Sequence, residues 1–319
     1  MNSDNKPDIV AANANSNTVG ILLNAGSGIF NTLTNYSVGS TPDSVAVVDV
    51  NSDNKPDIVV ANQGSNTVGV LLNTGNGTFS AQTIYSLGSG SFSIAAVDVN
   101  SDNKPDIVVA NYASYTVGVL LNAGSGTFNP QTTYSVGNDP RSVAVGDVNS
   151  DNKSDIVVAN QGSNTVGVLL NTGSGTFSAQ TIYSVGSGPF SVAVVDVNSD
   201  NKPDIVVSNS GSNTVGVLLN AGSGTFNAQT TYSVGSNPGS VAVIDVNSDD
   251  KPDIVVANRD SATICVLLNG LNGTFNAQTT YSVGTLPYSV AVVDVNSDNK
   301  PDIVVANAND NTVSVLLHC

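Results

Sequence analysis

An all-β fold is predicted for this chain, and within that class a β-propeller of four-stranded antiparallel blades. Three observations carry the expectation. A 49-residue repeat runs along the whole sequence without drift, each repeat divides into four short β-branched segments, and no stretch reads as a helix. Repetition at this length marks a solenoid, propeller or array, and four strands per radially repeated unit is the propeller pattern. A parallel β-helix or nonapeptide roll has a far shorter period, and a two-sheet sandwich does not need identical units.

In the first complete repeat, SVAVVD (44–49) is read as the innermost strand and DIVVAN (57–62) as the second. TVGVLL (67–72) is the third, and FSAQTIYS (79–86) the fourth and outermost. Their Val, Ile, Thr and Tyr content favours strands. The first three lack polar/apolar alternation, as expected of strands buried on both faces between stacked neighbours. The fourth is more polar, with Gln82, Thr83 and Ser86, and suits an outer edge. The connections, such as NTGNGT (73–78), carry the Gly and Asn of tight turns. Second and third strands occur seven times, first and fourth six times. Seven periods need 343 residues, 24 more than the chain has, so one blade should lack its inner strand and another its outer one. Six blades over residues 26–319 with a spare hairpin is the alternative. Either way, residues 1–319 are read as a single domain.

Between first and second strands lies the segment DVNSDNKPD, starting at Asp49 and recurring with minor changes at Asp98, Asp147, Asp196, Asp245 and Asp294. Alternate residues of a tight loop turn their side-chain oxygens toward one centre. Asp49, Asn51, Asp53 and Asp57 hold positions one, three, five and nine, and Lys55 at seven can add its backbone carbonyl. The equivalent sets are Asp98, Asn100, Asp102, Lys104 and Asp106, then Asp147, Asn149, Asp151, Lys153 and Asp155. They continue as Asp196, Asn198, Asp200, Lys202 and Asp204, then Asp245, Asn247, Asp249, Lys251 and Asp253. The last is Asp294, Asn296, Asp298, Lys300 and Asp302. An all-oxygen donor set with three carboxylates selects a hard cation, and flexible oxygens favour Ca²⁺ over Mg²⁺. About six bound ions are expected. Asn54 at position six should be left-handed, a conformation Asn tolerates better than most residues. An EF-hand is excluded, because position twelve is Val60 and no Glu exists in the chain. A cut copy (Asn2, Asp4, Lys6, Asp8) lacks the first Asp and is expected to bind weakly or not at all.

The charge balance follows from these loops. Of 25 acids, only Asp43, Asp139, Asp250, Asp260 and Asp310 lie outside the ligand positions. A net charge of −16 excludes nucleic acid and anionic membrane as partners, since both need a cationic face. Apolar runs of five or six residues are far short of the ~18 of a membrane span, so no membrane insertion is expected. Two cysteines, Cys265 and Cys319, make no disulfide framework.

Residues 190–207, FSVAVVDVNSDNKPDIVV, resemble the FG-GAP repeat, found also in the related VCBS class. The resemblance covers essentially the whole chain. It implies a propeller, commonly seven-bladed as in integrin α-subunit heads, with calcium between the two innermost strands and a role in extracellular adhesion or recognition. The chain departs from the pattern at Ser191 and Asn54, each replacing a Gly, and at Ala61–Asn62, replacing a Gly-Ala-Pro stretch.

Positions where these near-copies differ stand out. The connections from outer to inner strand carry Phe92, Arg141, Phe190 and Tyr288, and those from second to third strand carry Tyr112, Tyr115 and Arg259. Both kinds of connection should emerge on the face opposite the calcium loops. Phe92, Arg141, Phe190, Arg259 and Tyr288 are therefore read as exposed anchors for an unknown protein or glycan. Catalysis has little support: His318 stands alone, and the stray aspartates form no pair. Hairpins such as AGSG (25–28) lack the Lys and helix of a phosphate loop. Glycosylation triplets at Asn35, Asn76 and Asn272 suit a secreted protein.

The function expected is that of a monomeric, calcium-binding extracellular or cell-surface recognition module. The alternatives are a structural repeat of a longer surface protein or, more distantly, an accessory domain of a lectin-associated enzyme. No enzyme activity is expected of the chain itself. Met1 falls inside a calcium loop, which points to a truncated boundary with room for a leader upstream.

Overall fold

In each repeat the second strand organises the blade, because it alone is flanked by a long partner on both sides. Asp57–Asn62 pairs antiparallel with Pro42–Val48 on one side and with Thr67–Leu71 on the other, and Thr83–Ser86 adds the outer edge. The computed structural model describes residues 1–318; Cys319 lies outside the described residues. The same order recurs in four further four-stranded sheets, whose inner strands begin at Ser91, Pro140, Pro189 and Pro238. Two three-stranded sheets complete a seven-bladed propeller. Blade 1 (Ile9–Asn13, Thr18–Leu22, Thr34–Ser37) lacks an inner strand, and blade 7 (Pro287–Val293, Asp302–Asn307, Thr312–Leu316) lacks an outer one. The arrangement with seven blades is thus observed, and six with a spare hairpin is not.

Ring closure follows the period. The Asn122 amide donates to the Val50 carbonyl of the preceding blade at 2.9 Å, and Asn171 to Val99 at 2.8 Å. At the seam, Asn24 makes the same bond to Val295, 271 residues away, at 2.8 Å. Blade 1 therefore sits against blade 7 as every other blade sits against its predecessor.

Second strands are buried along their whole length in the five complete blades, as at Asp57–Asn62, since a neighbouring blade covers each face. Between blades 2 and 3, Val59, Ala61, Val68 and Val70 pack against Ile107, Val109 and Leu120. Each of five interfaces also carries an edge-to-face aromatic pair, such as Tyr85 on Phe128 at 5.5 Å, an arrangement contributing about 0.5–1.5 kcal/mol beyond burial.

Two expectations need correction. Inner strands are not buried on both faces: they line the axis, and Val47 is 45% exposed. The outer strand is also shorter than 79–86. Thr78–Phe79 instead folds back on Asn73–Gly75, because Gly75, Asn76 and Gly77 all take positive φ and reverse the chain within three residues. That hairpin delivers Phe79 to the interface with Tyr36.

Cys265 is a buried thiol, pushed up in pKa by that burial. It stands where blades 1 to 5 have glycine and blade 7 has Ser314. A Cβ built on Gly69 would lie 2.1 Å from Gln82 Oε1, which accepts from Asn62 Nδ2 at 3.4 Å. In blade 6 the thiol is present and the corresponding Gln278 Oε1 is buried without a partner.

Candidate functional site

At one end of the ring, the loop after each inner strand is a ladder of side chain-to-backbone bonds. Asp49 Oδ1 accepts from the amides of Asn51 and Asp53 at 3.2 Å, and Oδ2 from Asn54 at 2.7 Å. Asn51 Oδ1 accepts from Asp53 at 3.0 Å, and Asp53 Oδ1 from Lys55 at 2.9 Å. Such bonds require sharp reversals, and Asn54 is left-handed as expected, at φ +63°. Ser52 is left-handed too, at φ +62°, which its residue type did not signal. Both reversals recur in every copy.

The ninth position does something the sequence reading missed. Asp57 is fully buried, with Oδ2 accepting the Val50 amide at 3.0 Å and Oδ1 the Asn73 amide at 2.7 Å. It ties the loop to the small hairpin. Asp106, Asp155, Asp204 and Asp253 do the same, and in the cut copy the Met1 amino group replaces the missing amide on Asp8 at 2.6 Å. A signal was available: an Asn stands 16 residues on from the ninth Asp in six of seven copies, as Asn73 after Asp57, and His318 takes its place after Asp302.

Among the described residues no three Asp, His or Cys side chains are gathered into a finished metal cage. Positions one, three and five are satisfied within the loop, and in five loops the lysine ammonium sits on the fifth-position carboxylate, as Lys55 on Asp53 at 3.2 Å. The donor chemistry nevertheless suits calcium. Every side-chain donor is oxygen, and an ionised carboxylate offers about four lone-pair sites, of which the buried Asp57 uses two.

Electrostatics point the same way. Burial pushes the Asp204 carboxyl up to about 6; the Asn220 and Val197 amides oppose this, and the Asp200 and Asp196 charges add to it. Asp57, Asp106, Asp155 and Asp253 move upward for the same reasons. A carboxyl raised in the folded state holds its proton more tightly folded than unfolded. Its stability contribution is full below the ordinary 3.8 and is lost as pH rises through about 6 for Asp204. Desolvation opposes ionisation of Asp53, Asp102, Asp151 and Asp249, but hydrogen bonds and charge from lysine outweigh it and these carboxyls move downward; they act only below 3.8. In chelator, the melting temperature should therefore fall between about pH 4 and pH 6. A melting temperature that rises across that window would contradict this account.

The opposite end carries the variable connections. Both types emerge there and bond to each other, Gln63 N–H to Thr41 O and Gly64 N–H to Ser40 O, each at 2.9 Å. The inner strands begin here with a ring of serines. Ser44, Ser93, Ser142, Ser191 and Ser240 each accept an amide from the next blade, at 3.2–3.4 Å. Above them lies a cavity of about 140 Å³ on the axis, edged by Asp43, Phe92, Arg141, Phe190 and Tyr288.

These side chains do not project freely into solvent as expected. Phe190 is buried at 8% exposure, and Phe92, Arg141, Arg259 and Tyr288 are half-buried. The axis is the reason: residues spread over separate repeats converge where the inner strands meet. The Arg141 guanidinium carbon lies 3.6 Å from the Phe92 centroid and 4.3 Å from that of Phe190. Arg259 lies 4.0 Å from the same Phe190 ring. Arg141 donates to the Tyr288 hydroxyl, which donates to Asp43 at 3.5 Å. Asp43, which the sequence left as a stray acid, is thus part of this cluster. Of the other variable residues, Tyr112 stacks edge-on against Phe92 at 5.0 Å, and Tyr115 is 47% exposed on the same face.

The FG-GAP-like repeat matches six overlapping stretches: 1–60, 49–109, 98–158, 147–207, 196–256 and 245–305. The chain belongs to the FG-GAP-like repeat family. No curated protein matches it. Among solved structures, a functionally unknown protein from Desulfotomaculum acetoxidans is similar at 15% identity and a TM-score of 0.73, covering 97% of this chain and 91% of that one. Virginiamycin B lyase from Staphylococcus aureus gives 14% identity and a TM-score of 0.70, over 99% and 93%. A lectin from Agrocybe aegerita that recognises non-reducing terminal N-acetylglucosamine gives 19% and 0.63, over 97% and 89%. At these identities the likeness is one of fold. No described helix of this FG-GAP-like chain is long and apolar enough to cross a membrane.

Proposed function

We propose that this FG-GAP-like propeller is a calcium-stabilised recognition module working outside the cell, with its ligand face at the axial mouth. One observation carries the reading: repeated residues build the scaffold, while the non-repeated Phe92, Arg141, Phe190 and Tyr288 meet at a single cavity and Arg259 packs against Phe190 beside it. Aromatic and arginine side chains in a half-desolvated pocket are the usual anchors of binding. Asp49, Asn51, Asp53, Asp57 and the Lys55 carbonyl, with their five equivalent sets, would hold the ions. When bound, calcium supplies positive charge to loops otherwise held by amides and lysine. Six divalent ions bring twelve positive charges and would reduce −16 to −4.

A second reading has its own support. The same side chains stack on one another, so they could serve only to plug the axis of a structural repeat. Screening the chain against glycans and extracellular matrix proteins, with calcium and with chelator, separates the two. Calcium-dependent binding abolished by Arg259→Met supports recognition, and a blank screen with a well-folded protein supports the plug.

A further inference from the structure

The chain has two arginines, and both meet on one phenylalanine. All seven lysines lie in the aspartate loops at the far end, Lys6 in the cut copy and Lys55 to Lys300 in the others. A chain of net charge −16 thus keeps its remaining cations close together: Arg141 edges the cavity, and Arg259 lies over the same Phe190 ring, beside Gly239 of the lining. The counter-charge of Arg141 is Asp43, which reaches it only through the Tyr288 hydroxyl. That of Arg259 is Asp260, which acts on it from a distance: its carboxylate bonds to the Asn237 amide and not to the guanidinium.

The guanidinium donors are far from used up. Arg141 spends one nitrogen on Tyr288, and Arg259 spends Nε and Nη2 on Asn237. The remaining N–H groups have no protein acceptor among the described residues. Arginine presents five donors in a planar fork that matches a carboxylate. Desolvation strengthens such charge-assisted bonds.

The rest of the cavity indicates what carries the carboxylate. Five serines of the ring accept an amide from the next blade, so each hydroxyl hydrogen stays available to donate. Phe92, Phe190 and Tyr288 add apolar faces. At about 140 Å³, and with about 30 Å³ per water in the liquid, the space matches roughly five waters, which suits one small unit and not a peptide strand.

We propose that the axial mouth binds a carboxylated sugar unit, with Arg141 and Arg259 taking the carboxylate and the serine ring and aromatic faces taking the sugar body. This inference rests on the axial mouth being the recognition face. Asp43 acts as an internal competitor for the Arg141 side of the site.

The test is calorimetric titration of the calcium-loaded chain with D-glucuronate, D-glucose and acetate at low and moderate salt. Glucuronate should bind at least tenfold more tightly than either control, and more weakly as salt rises. Arg259→Met should weaken glucuronate at least tenfold with the melting temperature little changed. Asp43→Asn should strengthen it several-fold. Equal binding of glucose and glucuronate would overturn the inference while leaving the recognition face standing. Acetate binding as tightly as glucuronate would overturn the sugar assignment, and an unchanged affinity in Asp43→Asn would overturn the competitor role. No glucuronate binding by the wild-type chain overturns the whole inference; a blank glycan and matrix screen alongside it overturns the recognition reading as well.

Discussion

Exhaustive chelation is expected to lower the melting temperature by about 15 °C relative to 10 mM calcium. Ligand binding to the folded state stabilises it by RT ln(1 + [L]/Kd), and extracellular calcium modules bind at about 10⁻⁴–10⁻³ M. Each site then contributes about 1.4–2.7 kcal/mol at 10 mM. The six complete loops sit between strands of one closed ring, so all are lost in a single unfolding event and their contributions add to about 8–16 kcal/mol. With an unfolding entropy near 2.1 cal/mol/K per residue, 319 residues convert this at about 1.5 °C per kcal/mol. Magnesium should do much less, because it dehydrates reluctantly and demands octahedral geometry. Differential scanning calorimetry in chelator, calcium and magnesium measures all three, and identical curves would remove calcium from the proposal.

Phe190→Ala should destabilise the fold by about 3 kcal/mol and abolish ligand binding together. Removing a buried phenylalanine costs about 3–5 kcal/mol in a well-packed core, and this ring lies at the edge of an open cavity, which favours the low end. The loss includes the face shared by Arg141 and Arg259 and the edge contact with Tyr288 at 5.9 Å. Each exposed cation–π contact contributes about 0.5–1 kcal/mol, and more when desolvated. Urea denaturation measures the stability change; a value under about 0.5 kcal/mol would show that the ring packs against nothing of consequence. Had these residues been fully exposed, the same substitution would have left stability nearly unchanged.

Much of the architecture was legible because a propeller repeats its instructions. Each second strand, DIVVAN or a near copy, needs cover on both faces, and stacking the next copy supplies it. Blade 1 without an inner strand and blade 7 without an outer one also follow from the 24 residues by which the chain falls short of seven periods. Strand 79–86 was over-read because its Thr and Tyr content hides the reversal at Gly75 to Gly77, where positive φ wins over strand propensity.

The loops divide in the same way. Their donor types and spacing were plain in the residues, and so was the left-handed Asn54. What Asp57 does was not, because its partners Val50 and Asn73 come from the loop start and from a hairpin 16 residues on, and only the folded chain brings those amides to one buried carboxylate. The axial mouth is the clearest case. Sequence alone determined that Phe92, Arg141, Phe190, Arg259 and Tyr288 break the repeat and share one face. Closure of the ring decided the rest: these residues come from separate repeats and reach each other where the inner strands converge on the axis, so contacts within one repeat could not reveal that they touch, half-bury one another and bring both arginines onto Phe190.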